Sequence, residues 1–559
     1  MTTRHSPMGV IAGLCGVTWT LCVAPAARAQ SAVTFTDITA SAGITWSRNS
    51  GADGRKLLPE SLGGGGAFFH ADADGLPDLL LINGKDWRPR GRKTTHALYR
   101  NLGQGRFVDI TKGSGLDVEI YGLGVAVADY DNDGREDVYI TAYGGDRLFH
   151  NNGGGKFSDV TTPAGLDNTG LGTSAAWLDF DKDGLADLFV GNYVRWTVAT
   201  DLRCSYDGVS KGYCGPQPYA GTSSRLYRNL GRGRFADVTV RAGVGGAINK
   251  ALGVAVLDAD ADGWPDLFVA NDRVPSRLYR NHRDGTFVDI GLGSGVAVNE
   301  EGMARAAMGV DAADYDRSGR AHLVVGNFAN EMLGLYHNEG NGVFIDDAPR
   351  TAAGRASLLM LTWAAFFVDY DLDGWLDIFT ANGHIDEKWA GTIDPRVTYR
   401  QPLLMLRNTG ARAFENMTMR LGSAFSTPRL ARGAGYADID RDGDLDVFVT
   451  TMDGPVSLLR NDGGNRQNWW RVTAVGTKSN RSGLGAVVRV TSASGTQTQT
   501  VKSGSSYLSQ SELSLTFGLG KDPVVTAVEI LWPSGTRERL TNLPVNRQMT
   551  ATEGKGLAP

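Results

Sequence analysis

The sequence predicts an all-β protein: a seven-bladed β-propeller followed by a small β-sandwich or barrel-like domain. Three observations carry this. An acidic motif, Asp-x-Asp-x-Asp-Gly-x-x-Asp followed by an apolar run, recurs seven times, two of the copies damaged, and repeats tens of residues long mark propellers and solenoids. Two further motifs recur in step with it. Leu-Tyr-Arg-Asn, or a variant, starts at Leu98, Leu148, Leu226, Leu278, Leu335, Met405 and Leu458, and Phe-x-Asp-Val/Ile-Thr, or a relaxed form, starts at Phe35, Phe107, Phe157, Phe235, Phe287, Phe344 and Phe414. The third observation is their order. Phe35 precedes the first acidic loop, and no Phe-x-Asp follows Leu458, so the chain opens with the last strand of a repeat and ends one strand short. A ring closed by its N-terminal strand has this order. Residues 31–466 hold about 62 residues per copy, the size of a four-stranded blade with its loops; a right-handed β-solenoid, with much shorter rungs, is the alternative.

Composition sets the outer limits. Of 559 residues, 42% are apolar and 21% charged, which excludes a disordered chain, collagen and a polytopic membrane protein. A net charge of −5 gives no reason to expect nucleic acid. Glycine is in excess at 74 residues, while proline stands at 19, which points to many tight turns.

Taken from the N-terminus, residues 1–29 read as a secretory signal peptide: Arg4, an apolar run from Val10 to Ala24, and the small-x-small site Ala27-Arg28-Ala29. That run is too short to span a bilayer, and no later segment is long and apolar enough. A secreted or periplasmic chain results. Cys204 and Cys214, in a polar stretch, are then expected to form a disulfide. The propeller is expected over 30–466, a second β domain over 467–551 and a tail over 552–559.

The acidic loop carries the chemistry. Oxygen ligands at positions 1, 3, 5 and 9, with Gly at 6, suit Ca²⁺. Five copies are complete. They offer Asp129, Asp131, Asp133 and Asp137; Asp179, Asp181, Asp183 and Asp187; Asp258, Asp260, Asp262 and Asp266; Asp369, Asp371, Asp373 and Asp377; and Asp438, Asp440, Asp442 and Asp446. A sixth has His70 in the first position and keeps Asp72, Asp74 and Asp78. The copy from Asp314 has Ser318 and His322 where acids would stand, and no binding is expected there. Position 12 is never Glu, and the flanks are strand-like, so the loop belongs to a β-hairpin and not to an EF-hand. About five to six Ca²⁺ sites follow, with a structural role.

These residues resemble a known family. DYDNDGREDVYI with Leu-Tyr-Arg-Asn and Phe-x-Asp-Val-Thr is similar to the FG-GAP/VCBS repeat. After Asn461 the repeats stop, and Ser479-Asn480-Arg481, Gly485-Ala486, Tyr507-Leu508-Ser509-Gln510, Phe517-Gly518-Leu519-Gly520 and Trp532-Pro533-Ser534-Gly535 resemble the ASPIC/UnbV domain. Together they look like the cartilage acidic protein family in a bacterial secreted form. The resemblance implies a secreted propeller and assigns no activity to these residues. Arg481, Tyr507 and Gln510 stand either as ligand contacts or as turn and sandwich packing.

The loops opposite the acidic ones carry Asn83, Asn192, Asn271, Asn327 and Asn382, with Ala142 and Thr451 in the remaining copies. They read either as a polar ring or as side chains capping their own turns. Insertions at 85–95, 193–223 and 384–401 fall on the same face and mix aromatic with charged residues. Two functions are weighed. One is an extracellular binding or scaffolding module, expected to be monomeric, for a protein or glycan ligand. The other is a lyase- or hydrolase-like enzyme acting on an extracellular carbohydrate or secreted metabolite. His384, near Asp386 and Glu387, is the acid/base candidate for the second. A deep axial pocket would favour the enzyme, and a filled centre the binding module.

Overall fold

A computed structural model of the chain describes residues 2, 33–88, 93–246 and 248–558. The expected signal peptide lies outside them. Residues 34–462 form seven four-stranded antiparallel sheets, here blades 1 to 7. Blade 1 consists of Gly66–Phe69, Asp78–Leu81, Ala97–Asn101 and Phe107–Asp109. The innermost strands of blades 2 to 7 are Tyr121–Ala128, Gly172–Leu178, Ala251–Leu257, Ala307–Ala313, Thr362–Val368 and Ala431–Ala437. These strands touch in a cycle, the last against the first. As the motif order predicts, Thr34–Asp37 completes blade 7 by pairing antiparallel with Ser457–Asp462.

Each motif has a structural cause. The acidic motif is the turn between the first and second strands of a blade, Leu-Tyr-Arg-Asn is the third strand, and Phe-x-Asp the fourth. The Phe side chain is buried, and the Asp caps its turn: the Thr111 amide donates to Asp109 Oδ1 at 2.8 Å. The Asn of the third strand joins neighbouring blades. Asn151 Nδ2 donates to Ala71 O of the preceding blade, Asn229 to Tyr130 O, Asn281 to Phe180 O, Asn338 to Ala259 O, Asn408 to Tyr315 O and Asn461 to Tyr370 O, at 2.8–3.1 Å. Asn101 closes the ring on Ile439 O of blade 7 at 2.8 Å. Losing one strands a buried carbonyl, at about 1–3 kcal/mol.

The C-terminal region is a sandwich of two sheets. One orders Leu515–Gly520, Asn468–Val475, Arg547–Thr552 and Gly556–Ala558. The other orders Gly495–Thr500, Val487–Ser492, Val524–Leu531 and Arg537–Pro544. Trp470, Val488, Phe517, Ile530 and Trp532 fill its core, which is continuous with Tyr130 and Trp177 of blades 2 and 3. The expected tail is corrected here: Gly556–Ala558 pairs with Arg547–Thr552 and is part of the sheet.

One segment of this domain leaves it. Residues 502–512 run along the propeller axis and touch the inner strand of every blade. Gln510 N donates to Gly66 O, and Val125 N and Val310 N donate to the carbonyls of Leu508 and Ser506. The Leu508 amide donates to Ser174 Oγ, and Ser506 Oγ donates to Ala434 O. Gly504 lies against Val254, and the Tyr507 ring lies 5.0 Å from Trp363. The Gln510 side chain pairs with both backbone groups of Val127 at 2.9 Å, as another strand would. The tip is strained: Ser506 and Leu508 have φ of 63° and 55°. The channel makes room with glycine. A Cβ on Gly65 would overlap the Leu508 carbonyl, and one on Gly309 the carbonyls of Trp363 and Ser506.

Candidate functional site

The acidic loops share one backbone. In blade 6, Asp369 accepts the amides of Asp373 (3.1 Å) and Gly374 (2.9 Å), and Asp373 accepts that of Trp375 (3.0 Å). Leu372 at position 4 and Gly374 at position 6 have φ of 52° and 87°, and all seven copies repeat this pair of left-handed residues. Only glycine takes the second without strain. The position 9 carboxylate is fully buried and uses both oxygens: Asp377 accepts Asn408 N at 2.7 Å and Tyr370 N at 3.2 Å. It clamps the turn to the third strand before it does anything else.

Position 3 differs. Asp131, Asp181, Asp260, Asp371 and Asp440 each hold a buried Oδ1 with no hydrogen-bond partner. These are the five complete copies. Carboxylate oxygens of Asp129, Asp131 and Asp133 lie within 4.8 Å of one another, as do those of Asp179, Asp181 and Asp187, and of Asp258, Asp260 and Asp262. Burial first, then mutual repulsion, raises these carboxyls: Asp129, Asp179 and Asp438 to about 7 and Asp371 to about 6. A hard cation at each centre would supply the missing partner.

The two damaged copies lack that orphan oxygen. In blade 1, His70 donates to Leu76 O (3.1 Å), and Arg100 reaches Asp72 and Asp74. In blade 5, His322 Nδ1 accepts Asn338 N (2.9 Å), which places the proton on Nε2, facing Asp316 at 2.8 Å. His337 Nε2 meets the other Asp316 oxygen at 2.8 Å. Imidazoles stand there in place of an ion, and a metal on His322 Nε2 would require an imidazolate.

The insertion-bearing face is closed by packing. Cys204 and Cys214 form the expected disulfide. Four of the asparagines cap their own loops: Asn192, Asn271, Asn327 and Asn382 donate to Ser223 O, Pro275 O, Met332 O and Pro402 O; Asn83 instead accepts Asn49 N of the segment before blade 1. Trp87 stacks on Tyr121 at 4.2 Å beside Trp196. Of the charged residues in the first insertion, Arg90 and Arg92 lie outside the described residues. His384 is fully buried, stacked on Trp389 at 4.4 Å. Burial pushes it down to about 4, so it is neutral, and among the described residues its ring nitrogens hydrogen-bond only with the Asp386 backbone.

Beneath this face lies a polar cluster absent from the sequence reading. Arg48 donates to Ile82 O and Gly122 O, and Arg432 to Ser61 O and Gly383 O; both are buried, with no ion-pair partner among the described residues. Burial lowers both, Arg432 to about 9. Glu60 accepts Tyr213 Oη–H at 3.0 Å, and burial raises it from 4.5 to about 7. The only signal for Arg432 is a cation inside an otherwise small and apolar inner strand. Because the folded pKa of Glu60 is raised, its contribution to stability is present below pH 4.5 and lost as pH rises through about 7. The protein is therefore expected to lose about 1–3 kcal/mol over that range relative to Glu60→Gln. Parallel denaturation profiles of the two proteins would contradict this. At the edge of blade 1, Trp46, His96, Tyr99, Asp109 and Lys112 line a cleft of about 710 Å³.

Two family models match the chain in line with this architecture. The FG-GAP-like repeat model matches residues 71–140, 129–190 and 258–325, and the ASPIC and UnbV model matches 476–558. Cartilage acidic protein 1 of Xenopus tropicalis is 30% identical over 319 residues, covering 55% of this chain and 45% of that protein; the Homo sapiens protein is 31% identical over 316 residues, covering 55% and 44%. The chain spans about half the length of these relatives. Among solved structures, an Agrocybe aegerita lectin that recognises non-reducing terminal N-acetylglucosamine aligns with a TM-score of 0.39 at 16% identity, over 67% of this chain and 90% of that one. YCF48 bound to D1 peptide aligns at 0.38 and 11%, over 72% and 94%. The fold and its loops define a β-propeller protein that carries FG-GAP-like repeats. More particularly, its C-terminal domain matches the ASPIC and UnbV model, and about half of the chain is similar to cartilage acidic protein 1.

Proposed function

We propose that this chain is an extracytoplasmic calcium-binding propeller that serves as a binding or scaffolding module for an extracellular protein or glycan. Ions sit in the loops of blades 2, 3, 4, 6 and 7. The observation that carries the reading is the buried, unpartnered position 3 oxygen, found in the five complete loops and in neither damaged one. Oxygen-only ligands in a flexible turn favour Ca²⁺ over softer ions. The disulfide supports a location outside the cytoplasm. The filled axis and the neutral, enclosed His384 favour binding over catalysis. With the acidic-loop face carrying the sandwich, the insertion-bearing face and the cleft beside Trp46 are left for a ligand.

Equilibrium dialysis with Ca²⁺ tests the metal half: about five ions per chain are expected, and none would overturn it. Ser318→Asp with His322→Asp should rebuild the blade 5 loop and add one ion. An unchanged stoichiometry would show that these two side chains are not what silences it. A glycan array and crosslinking in the protein's own secreted fraction test the ligand half.

A further inference from the structure

The acidic loops are also the seat of the C-terminal domain. Ser482 Oγ accepts Asp129 N at 2.9 Å, and Asn132 Oδ1 accepts Arg481 N at 2.8 Å, both on the blade 2 loop. In blade 3, the position 6 glycine, Gly184, lies against the Lys478 carbonyl. In blade 5, Arg317 donates to Ser494 O at 3.0 Å. In blade 6, Gly520 N donates to Leu372 O at 2.9 Å, and a Cβ on Gly518 would overlap the Asp369 carboxylate. In blade 7, Glu512, at the end of the axial segment, accepts Asp438 N at 2.8 Å, and Gly443 lies under Trp469.

These contacts fall on positions 1, 4 and 6 of the loops. Most of them engage the loop backbone, whose shape a bound ion would fix. Without an ion, several carboxylates crowd around one point, and like charges that close push apart. Four of the contacted loops, those of blades 2, 3, 6 and 7, are complete copies, and the domain cannot follow such a movement at four loops and keep residues 502–512 in register with seven strands.

We infer that calcium in these loops latches the C-terminal sandwich, so that ion occupancy and the seating of the axial segment 502–512 are coupled. This rests on the calcium reading above. The coupling is reciprocal: what loosens the domain weakens the ions, and removing the ions loosens the domain.

Hydrogen exchange on the mature chain, in CaCl₂ and in EGTA, reads the coupling directly. The buried amides of Leu508, Gln510 and Glu512 are expected to exchange about tenfold faster or more in EGTA, and to be accelerated by a larger factor than those of the second strand of blade 5, His322–Asn327, which follows the loop without an ion. Bound calcium lost with no change at 502–512 overturns the inference and leaves the calcium reading standing. No calcium bound in either buffer overturns both. The reverse direction is read with Ser482→Ala, which removes one acceptor from the blade 2 loop and leaves both cores intact. It should weaken one calcium site several-fold, as should Gly518→Ala on the blade 6 loop. Unchanged affinities in both variants would overturn the coupling.

Discussion

Replacing Tyr507 with alanine is expected to destabilise the whole molecule by about 3–5 kcal/mol, the cost of emptying a fully buried aromatic site. The side chain stands at the tip of the axial segment, packs its ring against Trp363 and donates to Leu62 O at 3.1 Å. Surrounding strands cannot collapse into the gap, because each is held by two neighbouring blades. Gln510→Ala should cost less, about 1–3 kcal/mol, by stranding the Val127 backbone groups that its amide satisfies. Since residues 502–512 belong covalently to the sandwich and by contact to all seven blades, propeller and sandwich should unfold in one transition. Tryptophan fluorescence and far-ultraviolet circular dichroism, followed against denaturant, check both statements. Two separated transitions, or a loss below about 1 kcal/mol in Tyr507→Ala, would show that the axial segment is an ornament.

That segment marks where sequence reading stops. The ring was legible because its logic is local and repeated. Phe35 without a partner upstream and Leu458 without one downstream imply a shared blade, and the structure pairs Thr34–Asp37 with Ser457–Asp462. The Asn of Leu-Tyr-Arg-Asn recurs because it stitches blade to blade. Tyr507-Leu508-Ser509-Gln510 was visible only as part of the ASPIC/UnbV resemblance, with Tyr507 and Gln510 open to reading as ligand contacts or as turn and sandwich packing. Its partners lie hundreds of residues away and share no pattern with it. One trace was present: glycines in otherwise apolar inner strands, such as Gly124, Gly309 and Gly433, now seen against the axial segment. Read one at a time they look like turn residues, so the glycine excess was assigned to loops alone.

The acidic loops show the opposite balance. Spacing alone picked out the candidate ligands and the two damaged copies. It did not separate the roles of the four carboxylates. Position 9 is tied into the backbone at Asp377 and its equivalents, position 1 braces the turn, and position 3 alone keeps an idle buried oxygen. The blade 5 copy also carries more than a loss of acids: His322 keeps the structural role of position 9, accepting the Asn338 amide, while its other nitrogen faces Asp316 where an ion would sit.

Chelating calcium is expected to lower the melting temperature by on the order of 10 °C. An ion bound only to the folded state contributes RT ln(1 + [L]/Kd), about 2.7 kcal/mol at a hundredfold excess over Kd. Five independent sites then hold on the order of ten kcal/mol. A chain of this length unfolds with an entropy near 1 kcal/mol per kelvin, from roughly 2 cal/mol/K per residue, which converts that energy to about 10 °C. Asp371→Asn should remove about one fifth of the shift, since it neutralises a buried oxygen that nothing in the protein satisfies. Asp316→Asn should leave the EGTA-dependent shift unchanged, because the blade 5 carboxylate is already met by His322 and His337. Scanning calorimetry of wild type and both variants, in calcium and in EGTA, separates an ion-held ring from one held by hydrogen bonds alone. Equal melting temperatures for wild type in the two buffers would mean that the carboxylates are neutralised by protons and arginines. The raised carboxyls and the Arg407 contacts to Asp371 and Asp373 make that outcome physically coherent, and calorimetry decides between them.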